Sequence, residues 1–269
     1  WGGRKPVMYE IQTYLGADGL MHCTVCKEPV EAFYPKGSLL EMRKHHRQCA
    51  CERKAYAEET QYYKEKEHRE LIARNKKICF EEKEMEGFTF QNVERDSGVI
   101  RIAEEYVTNW QKMKQNHMGY LFWGPVGTGK SYLAACIANA LLEKEVTVKM
   151  TNFNTILNDL FAAEDKKEYI RSLNGYELLI IDDLGVERSS EYVLENIFSV
   201  IDWRYRSGKP LIITTNLPLA QLKQETKIEK KRIYDRILER CIPVKIDGVS
   251  RREAMANDNM QTMKNILKI

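Results

Sequence analysis

No apolar run in this 269-residue chain approaches the roughly 20 residues that a membrane span requires. Internal repeats and low-complexity tracts are also missing. The first residues, Trp1-Gly2-Gly3-Arg4, carry no basic-then-apolar signal pattern. The absent initiator Met leads us to expect a trimmed or incomplete chain whose numbering is offset from the gene product. Charge of one sign is scarce as well: a net +3 is too small by itself to argue for a nucleic-acid partner. These absences predict a soluble, cytoplasmic protein with no membrane partner, and any case for nucleic acid must come from local clustering.

What is present is an ordinary globular composition in a chain longer than a usual single domain, so we expect one main domain and one appendage. Seven cysteines are an odd number, and four of them fall between Cys23 and Cys51. In a cytosolic chain such clustering favours a metal over disulfides. We divide the chain into an N-terminal module (1–55), a charged helical connector (56–86) and a main domain (87–269). The connector, with Tyr62-Tyr63-Lys64-Glu65-Lys66-Glu67, repeats opposite charges at the spacings that are neighbours on a helix, which suits a solvated helix or a partner-binding face.

From Gly87 onward short apolar segments alternate with longer amphipathic ones, the pattern of a parallel sheet flanked by helices. The expected strands are 120–123, 146–150, 178–182, 211–215 and 243–246. After the first comes Gly124-Pro125-Val126-Gly127-Thr128-Gly129-Lys130-Ser131, which fits G-x-x-x-x-G-K-[ST] and runs into an apolar helix. Glycines allow the backbone N–H groups and the positive helix end to wrap an anion. Lys130 is expected on the β- and γ-phosphates of ATP or ADP, and the Ser131 hydroxyl on Mg²⁺.

The aliphatic run Leu178-Leu179-Ile180-Ile181 reads as a buried parallel strand ending in Asp182-Asp183, at the edge where α/β sheets bind ligands. Asp182 is expected on the Mg²⁺ side, and Asp183 is expected to polarise the attacking water. Asn216, after Thr214-Thr215, suits either a contact to the γ-phosphate or its water, or a turn ahead of Pro218. Farther on, Arg232, Arg236 and Arg240 follow one four-residue step and Ile233 and Ile237 another. A solvated basic face explains that spacing equally well.

Cys23-x-x-Cys26 with Cys49-x-Cys51, closing after 22 intervening residues, has the four thiolates of a structural Zn²⁺ site. His22, His45 and His46 lie close enough to replace one cysteine, and loosely packed reduced thiols are the plain alternative. A module this short gains a physical reason to fold from a metal staple.

Together the two cysteine pairs, the charged connector, the phosphate loop, Ile-Ile-Asp-Asp-Leu-Gly, Thr-Thr-Asn, Tyr-Asp-Arg-Ile and Gly248-Val249-Ser250-Arg251-Arg252 resemble the DnaC/DnaI group of AAA+ helicase loaders, over nearly the whole chain. The resemblance implies an α/β AAA+ P-loop NTPase with a five-stranded parallel sheet in the order 5-1-4-3-2, plus a small N-terminal zinc-binding domain. It gives Asn216 the sensor 1 role, Arg236 the arginine finger and Arg252 the sensor 2 role, with Arg251 adjacent. It also implies ATP hydrolysis as a switch, self-assembly through the ATPase domain, a hexameric replicative helicase as partner and contact with single-stranded DNA. Many AAA+ proteins carry Glu where Asp183 stands, and the shorter side chain is compatible with slow hydrolysis. Three other readings share parts of this pattern. They are an IstB-type transposition helper, a small-molecule kinase, and a zinc-bearing DNA-binding module with a silent ATPase.

Overall fold

Buried parallel strands are covered on both faces, so their side chains alternate between two apolar layers rather than between core and water. The computed structural model, which describes residues 11–40, 43–92, 98–185, 190–248 and 250–267, follows that rule closely. The chain divides into two compact units, Trp1–Leu71 and Ile72–Ile269.

The first unit contains two antiparallel hairpins, β1 (Thr13–Leu15) with β2 (Met21–Cys23) and β3 (Glu31–Phe33) with β4 (Lys44–His46). The 30-residue helix α1 (Ala50–Cys79) begins here and continues into the second unit. The Glu52 carboxylate accepts the Cys49 N–H at 2.9 Å and satisfies one of the free amides at this helix start. Along α1 the ion pairs Lys54–Glu58 and Lys66–Glu70 span 3.9 and 3.8 Å. With the lysine first, such exposed pairs contribute only about 0.2–0.5 kcal/mol each. The helix starts at Ala50, inside the stretch assigned from sequence to the module, and stops at Cys79, where Cys79 and Phe80 become buried.

The second unit holds β5 (Gly119–Trp123), β6 (Val148–Asn152), β7 (Leu178–Leu184), β8 (Leu211–Thr215) and β9 (Cys241–Lys245), all parallel, in the order β6-β7-β8-β5-β9. Counted along the chain and read from the β9 edge, this is the expected 5-1-4-3-2 sheet. One layer packs α2 (Gly98–Thr108), α3 (Trp110–Gln115) and α4 (Lys130–Leu142) against Tyr120, Phe122, Leu178, Ile180 and Ile212. The opposite layer packs α5 (Phe153–Ala162), α6 (Lys166–Leu173), α7 (Glu191–Ser207), α8 (Leu219–Lys223) and α9 (Ile228–Arg240) against Leu121, Leu179, Ile181, Leu211 and Ile213. Residues 178–181 therefore point to the two layers in turn and are fully buried, which contributes roughly 6–12 kcal/mol before entropy costs at about 1.5–3 kcal/mol each. The last helix, α10 (Arg251–Leu267), follows β9.

Strand β6 lies two residues beyond its expected position. Val146 instead closes the α4 terminus, its N–H donating to Leu141 O at 3.1 Å, and the strand runs on to Asn152, whose side chain caps α5 by accepting the Thr155 N–H at 2.9 Å. Among the described residues no helix is long and apolar enough to cross a membrane.

Candidate nucleotide and metal sites

The phosphate loop leaves β5 and re-enters the chain as α4, so its backbone must turn tightly against its neighbours. Gly124 has φ 145°, and a Cβ there would stand 2.2 Å from the carbonyl oxygen of Ile246. At Gly127 (φ 81°) a Cβ would stand 2.2 Å from Ser250 Oγ. Only glycine fits such close approaches at positive φ. Ser250, just before α10, thereby sits directly against the loop. The Thr128 hydroxyl donates to Pro125 O at 2.9 Å. Lys130 is 5% exposed and donates from Nζ to Gly124 O at 3.0 Å and to Pro125 O at 2.7 Å.

Strand β7 delivers the acids. The Asp182 carboxylate accepts a hydrogen bond from the Thr214 hydroxyl, and the Ser131 hydroxyl lies near enough to favour its charged form, which brings Ser131 and Asp182 together as the sequence had led us to expect. Burial pushes the Asp182 carboxyl above its ordinary value, and the charge of Asp183 acts in the same sense, while Thr214, Ser131 and Lys130 oppose them. Asp183 itself is exposed and has φ 56°, a left-handed conformation uncommon for a residue with a side chain. Asn216 donates to Asp183 Oδ1 at 3.5 Å, a weak contact that sets the amide beside the second acid. The carboxylate and hydroxyl oxygens of Asp182 and Ser131 are the donor set that suits a hard cation such as Mg²⁺.

A cleft of about 490 Å³ joins these groups, lined among others by Met85, Phe88, Lys130, Tyr132, Asp183 and Asn216. Met85 falls at the end of the stretch read from sequence as the charged connector, and Phe88 just beyond it, where no site residue was expected. Asn139 on α4 holds that segment in place, its amide donating to Met85 O at 2.8 Å and Phe88 O at 3.0 Å. The Phe88 and Tyr132 rings lie 4.5 Å apart, an apolar surface suited to a flat base. The only signal in the sequence was a pair of aromatics, Phe88 and Phe90, between a charged run and the next helix.

Arg236 lies elsewhere in its own chain. Its Nε donates to Asp202 Oδ1 at 2.7 Å, and its guanidinium sits 4.6 Å from the Phe198 ring centre. Arg236 is thus engaged in an intrachain ion pair, and it does not line this chain's cleft. Arg251 and Arg252 occupy the first turn of α10, and their side chains lie outside the described ones.

In the first unit the thiols of Cys23, Cys26, Cys49 and Cys51 lie within 4.8 Å of one another. A tetrahedral Zn²⁺ with bonds of about 2.3 Å separates its sulfurs by about 3.8 Å, so the cluster fits that ion. The Lys27 N–H donates to Cys23 O at 3.0 Å in a turn with Lys27 at φ 63°. The Glu28 carboxylate ties this turn to the start of α1 by accepting the Ala50 N–H at 2.7 Å. The backbone N–H groups of Glu28 and Cys51 hold the Cys26 thiol down to about 6, toward the thiolate a metal binds, while burial pushes the Cys49 and Cys51 thiols up. The three nearby histidines are engaged otherwise: His22 with Asp18, His45 with His46 O, and His46 with Glu52.

A loop fitted to phosphate, a hydroxyl–carboxylate pair and a parallel sheet of this order make a nucleotide-binding fold. Comparison with known families matches residues 55–258 to the IstB-like ATP binding proteins. The chain belongs to that family. The replicative helicase loader DnaC of Escherichia coli K12 is 29% identical over 149 residues, which span 54% of this chain and 58% of that protein. The replicative helicase loader DnaI of Bacillus subtilis 168 is 24% identical over 192 residues, spanning 65% and 62%. The chain thus covers only about three fifths of these relatives' length. Among solved structures, a crystal structure of DnaI covers 66% of this chain and 99% of its own, with 25% identity and a TM-score of 0.56. A crystal structure of the DnaC helicase loader, at 22% identity and a TM-score of 0.51, shares the fold. The resemblance to the DnaC/DnaI group and the AAA+ fold class read from the motifs are both borne out.

Proposed function

We propose that this IstB-family ATP-binding protein is a helicase loader, which binds a hexameric replicative helicase and delivers it to single-stranded DNA, with ATP binding and hydrolysis as the switch. The observation that carries the reading is the pairing of a DnaC- and DnaI-like motor with a four-cysteine module that lies outside the span matched to the family. In this reading the module (1–55) grips the helicase, residues 56–86 connect, and residues 87–269 form the motor.

Within the motor the loop 124–131 and Lys130 bind the phosphates, Phe88 and Tyr132, joined by Met85 from the end of the connector, offer an apolar surface to the base, and Ser131 with Asp182 would hold Mg²⁺. That ion supplies neutralisation of charge on the phosphate oxygens. Asp183 orients and polarises the attacking water, Asn216 steadies Asp183 and the water, and Arg252 contacts nucleotide from the α10 end. Arg236 serves the site of a neighbouring subunit, so turnover requires self-assembly. The four cysteines hold one Zn²⁺, which staples the module.

The test is capture of the replicative helicase by the full chain in ATP and in ADP. Capture is expected to differ between the nucleotides, and a failure to capture in either overturns the reading. The family match favours a second reading, a transposition helper of the IstB type. Stimulation of a transposase by a chain that ignores the helicase would select it.

A further inference from the structure

Asp183 reaches the cleft, with Asp182 beside it, because β7 and β8 fall out of step. The strands pair Ile181 with Ile213 and resume with Leu184 opposite Thr215. Between these points β7 supplies two residues, Asp182 and Asp183, and β8 supplies one, Thr214. This is a β-bulge, a device that is uncommon in parallel pairs and re-aims side chains beside sites. Its cost is visible in the left-handed φ of 56° at Asp183 and in the loss of regular ladder pairing for the extra residue.

A side chain takes over that pairing. The Thr214 hydroxyl accepts the Asp183 N–H at 3.0 Å and donates its own hydrogen to Asp182 Oδ1. Thr214 is fully buried, so water cannot substitute for it. One hydroxyl therefore holds the backbone of the second acid and the carboxylate of the first. Thr215, its neighbour, spends its hydroxyl on Leu184 O at 2.7 Å and pins the far end of the bulge.

We infer that Thr214 is the positioning residue of the acid pair: its hydroxyl orients the Asp182 carboxylate toward Ser131 and fixes the bulge that presents Asp183 to the cleft. The inference rests on the Mg-nucleotide reading of this site. It also links β8, which leads into Asn216, to the metal-side acid through the Thr214 hydroxyl.

The test compares Thr214→Val, which keeps the shape and removes the hydroxyl, with Thr214→Ser, which keeps the hydroxyl. ADP binding is titrated in EDTA and then against Mg²⁺, alongside ATP turnover and thermal unfolding. Thr214→Val is expected to bind ADP in EDTA about as well as the parent, but to need about 10–100-fold more Mg²⁺ for the metal-dependent gain, the usual loss for a residue that orients a ligand. Thr214→Ser is expected to restore the parental Mg²⁺ response. A parental response in Thr214→Val, or equal failure of Val and Ser together with loss of ADP binding in EDTA, overturns the inference. If Thr214→Val does not fold, Asp183→Gly added to it relieves the positive φ. The double variant should fold and keep the weakened Mg²⁺ response, and a parental response there overturns the inference too. A parent that binds Mg-ADP yet never hydrolyses ATP would defeat the proposed hydrolysis while leaving the Mg²⁺ titration to decide on Thr214.

Discussion

At Lys130 a cationic side chain is held almost out of water, its ammonium donating to the carbonyls of Gly124 and Pro125. A carbonyl dipole carries no full opposite charge, so a phosphate oxygen is a stronger partner for that ammonium than either carbonyl. A charge-assisted hydrogen bond is worth about 1.5–3 kcal/mol, and Lys130→Ala should weaken ATP binding roughly 10- to 100-fold in a nucleotide titration. Equal affinity would remove Lys130 from the site. Asp182 carries the opposite tension. Burial lifts its carboxyl above the ordinary value, so its contribution to stability is whole below the usual carboxylate range and is lost as pH rises through the raised folded value. Once Asp182 is ionised, the ligand-free site is therefore strained. Asp182→Asn should raise the ligand-free melting temperature at pH 7 by roughly 2–4 °C, the shift that about 1 kcal/mol gives a domain of this size. The gain should shrink at acid pH, and Mg-nucleotide binding should fall. A lower melting temperature at pH 7 would mean that lost contacts with Thr214 and Ser131 outweigh the relief of charge.

Between α7 and α9 the arginines that sequence spacing set on one face pack over aromatic rings in a seam, Arg236 and Arg240 half-buried and Arg232 still exposed. Arg232 lies 4.1 Å and Arg236 4.6 Å from the Phe198 ring centre, Arg240 lies 4.6 Å from that of Tyr205, and Asp202 anchors Arg236. Arg236 thus has a packing role in its own chain, and a role in a neighbour's site must be separated from it. Mixing inactive Arg236→Ala with inactive Lys130→Ala should recover turnover if the finger acts between subunits, since each protein supplies the part the other lacks. Asp202→Asn is the control, because it loosens the same seam and leaves the arginine. If Asp202→Asn silences turnover as fully as Arg236→Ala, or co-assembled mixtures recover nothing, the role is packing alone. The legibility of the sequence divides along the same line. The strands were readable because a buried parallel strand must be apolar on both faces, and 178–181 alternate between two layers that both exclude water. The phosphate loop was readable because its glycines answer to local backbone geometry. The bulge at Asp182-Asp183 was not, because it exists only in the register of β7 against β8, and Thr214 alone reads as one more strand threonine. The seam was hidden for the same reason: Asp202 stands 34 residues before its arginine.

Taken as a whole, the molecule joins two units with unequal means of holding themselves together. The second unit has two extensive apolar layers around its sheet, whereas the buried core of the first is Cys23, Val30 and Cys49, with Ile11, Met21, Cys26 and Cys51 partly buried around it. Burying a valine contributes about 1.5–3 kcal/mol, against about 10–16 kcal/mol of apparent binding for a structural zinc, so a zinc held as proposed would outweigh the core in deciding whether the first unit folds. Without the metal, four thiols stand crowded within 4.8 Å with little apolar mass among the described residues to keep them there. Treating the full chain with a strong zinc chelator should therefore release one zinc per chain and melt residues 11–49, readable as loss of amide protection against hydrogen exchange. Nucleotide affinity should stay within about twofold, because Lys130, Asp182 and the cleft belong to a unit whose apolar layers need no metal. If the first unit grips the helicase, capture should vanish on chelation and return with added zinc, while ATP binding continues throughout. Capture that persists after the first unit has melted would move the helicase contact to the motor, and retained protection without zinc would show that the thiol cluster is a packed core in its own right.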